Sequence, residues 1–488
     1  MKKLKNFIAN EWNEPLSGKY LDVINPATEE VTSQVPLSNL DDLNVVINAT
    51  KKIAPDWRNT PVTKRVQYLY KLKTLLEEHA DELSEICTIE SGKTFDESRA
   101  ELQRAIENVE VACGMPTLIQ SEFSEDIAHG IDEFMIRQPV GIAACITPFN
   151  FPIMIPFWFL PYAVASGNTF IVKPSEKVPE TMNKLAELIK QSGIPQGVVN
   201  VIHGDREIVD EILEHKDIAA VSFVGSSKVA KHIYTKASAE GKRVQASGGA
   251  KNPIVIMPDA DIEMTTKIIV DSVYGCAGQR CLAAANVITI GESTEKIKNE
   301  LIKQSKDRKV GNGLDKETEM GPVISKESYD RVHSIIDTAV AEGADLLLDG
   351  RKNELTKGKG YFINPTVLDN VPIDGEIIKT EIFGPVMSLI HFNTLDDAIE
   401  FINSSSYGNA ACIFTQTGAV ARKFRHDVMA GNIGVNIGIA APMAFFPFSG
   451  WNDSFYGDLH AQAKHAVEFY TQTKIVIERW FKEWNRKF

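Results

Sequence analysis

The sequence predicts an α/β protein built from more than one domain. Two observations support this. The chain has 488 residues, too many for one small core. From Val140 onward, short apolar runs alternate with helical stretches. Strands that alternate with helices form parallel sheets covered on both faces, so we expect two α/β domains.

The first series of elements predicts one such sheet. The predicted strands are residues 141–146, 169–172, 198–202, 219–224 and 254–257. The predicted helices between them are residues 180–192, 207–214 and 228–238. Each strand is a short, continuous apolar run, which is typical of strands buried on both faces.

A second series follows Cys281 and predicts the second sheet. Its strands are residues 283–290 and 410–415, and its helices are 296–304, 328–342 and 395–404. We expect the two domains to join near residues 247–259. Before Val140, apolar residues recur at three- and four-residue steps, which predicts helices over 43–51 and 63–87.

Composition excludes several classes of function. The formal net charge is −13, and an acidic surface argues against nucleic-acid binding because phosphate contacts need basic groups. The apolar stretch 142–165 contains four prolines and an asparagine, so we do not expect it to span a membrane. We also predict no secretion signal.

The six cysteines are scattered along the chain. Their number and spacing suit neither a disulfide framework nor a zinc site, so we predict no metal and a reducing, cytoplasmic environment. One or two of these thiols are therefore candidates for a chemical role.

Cys281 is the first such candidate. It ends the segment Gly-Cys-Ala-Gly-Gln-Arg-Cys, residues 275–281. A nucleophilic thiol needs close backbone approach and amide donors for an oxyanion, and glycine-rich backbone supplies both. The alternative is an inert, buried cysteine.

Three further segments follow predicted strands, where α/β proteins place ligands. Asn150 offers an amide to an oxyanion; the alternative is a proline-fixed turn with a capping or solvated Asn. Lys173 and Glu176 suit a ribose, since a carboxylate accepts its hydroxyls and repels a 2′-phosphate; the alternative is a surface charge pair. Gly225 and Ser226 precede a helix whose N-terminus could hold a pyrophosphate, or are a plain N-cap.

Taken together, these segments resemble the aldehyde dehydrogenase superfamily. Further matches are Glu-Ile-Phe-Gly-Pro-Val at residues 381–386 and Gly-Asn-Ile-Gly-Val-Asn at 431–436. The resemblance extends from residue 7 to residue 471 and keeps the family's motif order.

The resemblance implies a fold with three parts. It implies a Rossmann-type NAD-binding domain (1–117 and 140–249), an α/β catalytic domain (250–449) and a small β oligomerisation arm (118–139 and 468–488). It also implies a homodimer or homotetramer.

The resemblance also assigns roles to individual residues. Cys281 is the nucleophile, and Asn150 with the Cys281 amide forms the oxyanion hole. The residues implied to hold NAD, with Phe383 near the nicotinamide ribose, are Lys173, Glu176, Gly225, Ser226, Glu381 and Phe383.

Position 247 departs from the hydrolytic members of the family. Those members carry a glutamate 34 residues before the nucleophile, where this chain has Ser247. A hydroxyl without a partner is not a general base at neutral pH, so water would be poorly activated. A thiol is then the natural acyl acceptor.

In lacking this glutamate, the chain resembles one subgroup, the CoA-acylating methylmalonate-semialdehyde dehydrogenases. Residues 278–281 and 441–451 match that subgroup as well. In it, two arginines hold the substrate carboxylate, and these align with Arg104 and Arg280. A guanidinium fork matches a carboxylate bidentately. For Arg104, the alternative is a solvated residue on a helix.

The expected reaction is NAD-dependent, CoA-acylating oxidation of methylmalonate or malonate semialdehyde through a Cys281 thioester. Propionyl-CoA or acetyl-CoA and CO2 are the expected products. Two alternatives stay open: a hydrolytic dehydrogenase that releases a free acid, and a non-catalytic binding or structural protein on the same fold.

Overall fold

The computed structural model describes residues 1–352 and 358–480. The predicted arm segment 468–488 therefore lies partly outside the described residues, from position 481 onward. No helix within the described ranges is long and apolar enough to cross a membrane.

The helices and strands are numbered in chain order. The strands are β1 Lys2–Lys3, β2 Asn6–Ile8, β3 Glu11–Asn13, β4 Tyr20–Ile24, β5 Val31–Pro36, β6 Phe123–Ala128, β7 Ile131–Pro139, β8 Ile142–Ile146, β9 Thr169–Lys173, β10 Val199–Val201, β11 Ile218–Val224, β12 Arg243–Ser247, β13 Asn252–Ile256, β14 Ala284–Ile290, β15 Asp345–Leu348, β16 Thr366–Asp369, β17 Val386–Phe392, β18 Tyr407–Gly408, β19 Ala410–Phe414, β20 Asn432–Val435, β21 Trp451–Asn452, β22 Phe455–Gly457 and β23 Thr471–Arg479. The helices are α1 Leu40–Asn59, α2 Val62–Glu78, α3 Ala80–Ser91, α4 Phe95–Cys113, α5 Met115–Leu118, α6 Met154–Phe157, α7 Leu160–Ser166, α8 Pro179–Gln191, α9 Arg206–Glu214, α10 Ser227–Ala239, α11 Ile262–Tyr274, α12 Ser293–Asp307, α13 Lys326–Ala341, α14 Glu376–Lys379, α15 Leu395–Asn403, α16 Gly418–Asp427 and α17 Ala463–Phe469.

Two large sheets organise these elements. The first has the order β22-β12-β11-β8-β9-β10-β2-β3, and its five strands from β12 to β10 run parallel. The second has the order β15-β16-β17-β14-β13-β19-β20, and all but β15 are parallel. The α/β fold class is confirmed.

The chain passes from the first sheet to the second between Ser247, the last residue of β12, and Asn252, the first of β13. A separate antiparallel sheet has the order β23-β7-β6. Its outer strands expose Phe123, Ile475 and Ile477, each at least 59% accessible. Apolar surface of this kind marks interaction sites in monomeric structures.

One prediction over the helices is wrong. Residues 63–87 form two helices, α2 and α3, because the chain turns at His79, which is the C-cap of one and the N-cap of the other. The apolar periodicity continues across this turn, so periodicity alone could not reveal it.

Helix α4 positions much of the site and was not predicted. It begins with a capping box: the Thr94 hydroxyl accepts from the Glu97 amide at 3.2 Å, and the Glu97 carboxylate accepts from the Thr94 amide at 3.0 Å. One face of α4 then carries Glu97, Glu101, Arg104 and Asn108 into a cavity beside Cys281.

Candidate active site

The loop that carries Cys281 is sharply bent. Helix α11 ends at Tyr274, and the next residues form a 3-10 turn, Gly275–Gly278. Cys276, Ala277 and Gly278 have φ of 51°, 54° and 72°. Left-handed backbone at non-glycine residues costs energy and persists only where the surroundings hold it, which is a feature of functional loops.

Two glycines in this loop leave space that neighbouring groups occupy. A Cβ on Gly278 would lie 2.2 Å from the carbonyl oxygen of Gly384, in the segment that holds Phe383. A Cβ on Gly275 would lie inside the guanidinium group of Arg280. Gly278 therefore lets the nucleophile loop approach the backbone of Gly384, and Gly275 leaves space for the guanidinium group of Arg280.

Two asparagines hold the nucleophile's backbone. The side-chain amides of Asn252 and Asn409 donate to the Cys281 carbonyl oxygen at 2.7 and 2.8 Å. Asn252 begins β13 and Asn409 precedes β19, which pairs with β13. The second sheet thus fixes the orientation of the Cys281 peptide.

The thiol of Cys281 is protonated at neutral pH in this state. Burial raises its pKa to about 12, and the Glu381 carboxylate adds to the increase, while hydrogen bonds from the Cys281 and Leu282 amides and the charge of Arg280 oppose it. The thiolate is the nucleophilic form, so the site must activate the thiol before it reacts.

Asn150 lies beside the nucleophile loop. Its side-chain amide donates to the carbonyl oxygen of Gln279 at 3.0 Å, two residues before Cys281. An asparagine amide has two N–H donors, so the second is left for another acceptor. Asn150 and Cys281 line one shared cavity. The structure therefore brings these two predicted residues together.

Two cavities meet at Cys281. The first, about 190 Å³ in volume, is lined by α4, the nucleophile loop and residues 439–448; its side chains include Arg104, Trp158, Cys276, Arg280, Cys281 and Phe448. The second, about 400 Å³, is lined by Asn150, Gly225, Ser226, Cys281, Glu381 and Phe383, among others. A reacting group on Cys281 is reachable from both sides.

Both predicted arginines line the first cavity. Arg104 donates to Glu107 at 2.7 Å and to the Pro442 carbonyl oxygen. Arg280 lies 3.4 Å from Glu97, and its buried Nε has no hydrogen-bond partner among the described residues. A second anionic group could therefore bind Arg280 without displacing a tight contact.

Glu97 joins several parts of this cavity. Besides capping α4, it accepts from the Cys276 amide at 2.6 Å and lies near Arg280. One carboxylate thus ties the helix that carries Arg104 to the loop that carries Arg280 and Cys281.

The second cavity contains four of the six residues predicted to bind the cofactor. Gly225 directly follows β11, and a Cβ there would lie 2.3 Å from the Phe223 ring. Ser226 is the exposed N-cap of α10, and its side chain makes no capping hydrogen bond within the described part of the chain. Amides of the first helical turn are therefore available to an anion.

Phe383 and Glu381 line the same cavity as Gly225. Phe383 has φ of 51°, and its ring packs edge-on against Phe149 at 5.8 Å. Glu381 accepts from the Ala250 amide at 3.1 Å. Burial raises the pKa of Glu381 to about 7, although the Ala250 amide and the charges of Arg331 and Lys251 oppose the increase.

Lys173 and Glu176 form a pair at the carboxyl end of β9, 3.1 Å apart. Burial alone would raise the pKa of Glu176, but the charge and hydrogen bond of Lys173 hold it below its usual value. The carboxylate is therefore ionised. Neither residue is among those described as lining the second cavity near Cys281.

Ser247 is buried at the end of β12, opposite Val224 of β11 and Phe455 of β22. The next residue, Gly248, lines the cavity that contains Cys281. Position 247 thus lies next to this cavity, and its side chain is a hydroxyl where hydrolytic members of the family carry a glutamate.

The sequence analysis missed the residues that support the site. Lys93 and Glu101 form a buried ion pair beneath Asn150; Glu97, Asn252 and Asn409 hold the nucleophile loop. A clear signal existed only for Glu97, which completes a Thr-x-x-Glu capping box. The other contacts join distant parts of the chain.

Comparisons with known proteins agree with this geometry. Residues 12–476 match the Aldehyde dehydrogenase family. The chain is 47% identical to malonate-semialdehyde dehydrogenase 2 of Geobacillus kaustophilus over 477 residues, 98% of this chain and 99% of that protein. It is also 47% identical to the malonate-semialdehyde dehydrogenase of Halalkalibacterium halodurans, covering 98% of each.

Solved structures of semialdehyde dehydrogenases have the same fold as this chain. A putative methylmalonate-semialdehyde dehydrogenase from Sinorhizobium meliloti, solved with NAD, matches with a TM-score of 0.97 and 40% identity over 99% of both chains. A methylmalonate-semialdehyde dehydrogenase from Oceanimonas doudoroffii matches with a TM-score of 0.97 and 39% identity, again over 99% of both chains.

Proposed function

Because the chain belongs to the aldehyde dehydrogenase family, we propose that it oxidises malonate or methylmalonate semialdehyde with NAD and transfers the acyl group to CoA. The observation that carries the proposal is the position of Cys281 between two cavities, one lined by Arg104 and Arg280 and the other by Gly225, Ser226, Glu381 and Phe383.

The second cavity fits NAD. Gly225 gives backbone access, the N-terminus of α10 suits a pyrophosphate, and Glu381 offers a carboxylate to a ribose. The ionised Glu176 would hold the adenosine ribose and repel a 2′-phosphate, with Lys173 beside it. When bound there, NAD would supply the hydride acceptor for oxidation of the aldehyde carbon.

The first cavity fits a short aldehyde that carries a carboxylate. Arg280 and Arg104 supply guanidinium groups, while Trp158 and Phe448, whose rings lie 4.4 Å apart, form an apolar wall. The carboxylate binds the arginines and the aldehyde carbon faces Cys281. The identity of the substrate within this class rests on the names of the relatives above.

The chain's own residues perform the covalent steps. The Cys281 thiol first loses its proton to solvent. The thiolate then attacks the aldehyde carbon, and the amides of Asn150 and Cys281 donate to the resulting alkoxide oxygen. Oxidation leaves an acyl thioester on Cys281. The thiol of CoA then loses its proton and attacks the acyl carbon, and the Cys281 thiolate leaves. The free carboxylate leaves as CO2 before or after this transfer, and the α-carbon takes up a proton, which yields acetyl-CoA or propionyl-CoA.

We also propose that copies of the chain assemble through the β23-β7-β6 sheet as a dimer or tetramer, since this sheet exposes several apolar side chains. The proposed compartment is the cytoplasm, which is supported by six free cysteines. Mass measurement in solution tests the assembly: mutating Ile475 and Ile477 to Asp should shift it toward the monomer.

The test of the reaction is product analysis with and without CoA. We expect NADH from both semialdehydes and an acyl-CoA thioester when CoA is present. Without CoA, we expect an NADH burst near one per active site, followed by a slow rate. Fast release of free acid without CoA would contradict the acylating activity and leave a hydrolytic dehydrogenase. No NADH from any short aldehyde would contradict the dehydrogenase itself.

A further inference from the structure

We propose that Lys93, paired with Glu101, is a positioning residue that sets the place of Asn150 beside the Cys281 thioester. The inference deepens the proposed function and rests on its assignment of Asn150 as the oxyanion donor. Lys93 itself lines neither cavity, but it contacts Asn150, Phe151 and Glu101, which do. Its effect would therefore pass through Asn150.

Lys93 holds the backbone of Asn150 directly. Its ammonium group donates to the carbonyl oxygen of Asn150 at 2.9 Å and lies 4.6 Å from the centre of the Phe151 ring. These are two consecutive residues of the turn between β8 and α6. A cation can bind both a carbonyl oxygen and an aromatic face, so Lys93 restrains this turn at two points.

Glu101 holds the other end of the same turn. It forms an ion pair with Lys93, and its second oxygen accepts from the amides of Ile153 and Met154 at 2.6 and 2.9 Å. Residues 150–154 are therefore fixed by charge-assisted hydrogen bonds at both ends. The side-chain amide of Asn150 extends from this fixed segment to the nucleophile loop, where it donates to Gln279.

Both charges are fully buried, with Lys93 3% and Glu101 0% exposed. Burial alone would lower the pKa of Lys93, but the Cys87 thiol and the Glu101 carboxylate hold it above its usual value, so the ammonium is charged. A buried ion pair is a weak source of stability, because desolvation offsets the attraction. A role in geometry explains its presence better than a role in stability.

The precision of this geometry matters for the reaction. An oxyanion donor stabilises the transition state only at hydrogen-bond distance from the developing charge. A displacement of about 1 Å can slow a reaction about a hundredfold. Without Lys93, the carbonyl oxygen of Asn150 would lose its buried hydrogen-bond donor, and the turn would move until this oxygen found another donor.

The experiment is a double-mutant cycle between positions 93 and 150, read as the rate of the NADH burst in the full-length enzyme with saturating NAD. We expect Lys93→Met to slow the burst about ten- to a hundredfold, with little change in the dissociation constant of NAD. In the Asn150→Ala background, the same substitution should slow the burst less than twofold, because the donor it positions is already gone.

Lys242→Met is the matched control. Lys242 is also a buried lysine in the first domain, and it donates to the carbonyl oxygens of His215 and Ile218 at 2.6 and 3.0 Å, away from both cavities. It should lower the midpoint of thermal unfolding and leave the burst rate within about twofold, whatever the background at position 150. If Lys93→Met does not fold, Glu101→Gln enters the same cycle, since it removes the charge and keeps the volume.

The outcomes separate this inference from the proposed function. Equal slowing by Lys93→Met in both backgrounds would overturn it, because the effect would not pass through Asn150. An unchanged burst in Lys93→Met would overturn it and leave the proposed function intact. An unchanged burst in Asn150→Ala alone would remove the oxyanion assignment in the proposed function, and with it the premise for Lys93.

Discussion

A methyl group on Gly275 would lie 1.1 Å from Nη2 of Arg280, so the glycine leaves the space that the guanidinium group occupies. The two residues lie at opposite ends of the bent loop, and Arg280 immediately precedes the nucleophile. The absence of a side chain at position 275 therefore determines where the guanidinium group of Arg280, which is predicted to bind the substrate carboxylate, can lie.

Arg280→Leu should weaken binding of the semialdehyde substrates and spare propanal, which has no carboxylate. Loss of one partner of a buried charge pair costs about 2 kcal/mol or more, equivalent to about thirtyfold or more in kcat/KM. Gly275→Ala should act in the same direction by displacing the guanidinium. The measurement is kcat/KM on malonate semialdehyde and on propanal.

Arg104→Leu should behave like Arg280→Leu, and Arg99→Leu is its control. Arg99 is on the same helix and pairs with Asp81 on the surface. It should leave both substrates unaffected. Equal losses on semialdehyde and propanal in Arg280→Leu would show that Arg280 supports Cys281 instead of the substrate.

Cys281→Ser should remove nearly all NADH formation while NAD still binds, since a hydroxyl is a much weaker nucleophile near neutral pH. Cys276→Ser should have a mild effect. Cys276 lines the same cavity, but it is buried, only 6% exposed, whereas Cys281 is partly exposed. The reverse result would identify Cys276 as the acylated thiol.

Alkylation of Cys281 in the free enzyme should depend strongly on pH. With a pKa raised to about 12 by burial, and further by Glu381, the thiol is protonated at pH 7 and its thiolate increases as pH rises. The rate with iodoacetamide should therefore rise about tenfold per pH unit between pH 7 and 9. Mass spectrometry of the labelled peptide measures it, with Cys281→Ser as the blank. A plateau below pH 8 would contradict the raised pKa.

Glu176→Gln should weaken NAD binding and reduce the preference for NAD over NADP. The present carboxylate is ionised beside Lys173, so it accepts ribose hydroxyls and repels a 2′-phosphate. Isothermal titration with both cofactors measures the change. Glu187→Gln, at an exposed position of α8, the helix that follows Glu176 in the chain, should change neither affinity. A native enzyme that prefers NADP would disprove the role of Glu176.

Ser247→Glu should restore some hydrolysis of the acyl-enzyme. A carboxylate at the end of β12, next to the cavity that contains Cys281, could activate water as a general base. The steady rate without CoA should rise above that of the native enzyme, with free acid as the product. Ser247→Gln has the same bulk without the base and should not raise it. A rise in both variants would point to a looser site.

The sequence by itself determined the fold class and the central chemistry. Alternating apolar runs and amphipathic stretches were enough to predict the parallel strands β8, β9, β11 and β14. Such a prediction is possible because a buried strand or helix face produces a regular spacing of apolar residues along the chain. Strand β12 was not predicted, since Arg-Val-Gln-Ala-Ser carries no such signal. The Cys281 loop was singled out because glycines flank a cysteine in one short segment, and Asn150 because it follows a predicted strand.

The tertiary structure alone decided what holds those groups in place. Asn252 and Asn409 are far apart in sequence, yet both bind the Cys281 carbonyl because β13 and β19 pair side by side. Lys93 reaches Asn150 only because α4 packs Glu101 against the turn after β8. Hydrogen bonds between distant segments depend on how whole elements pack, and local sequence patterns contain no record of that packing.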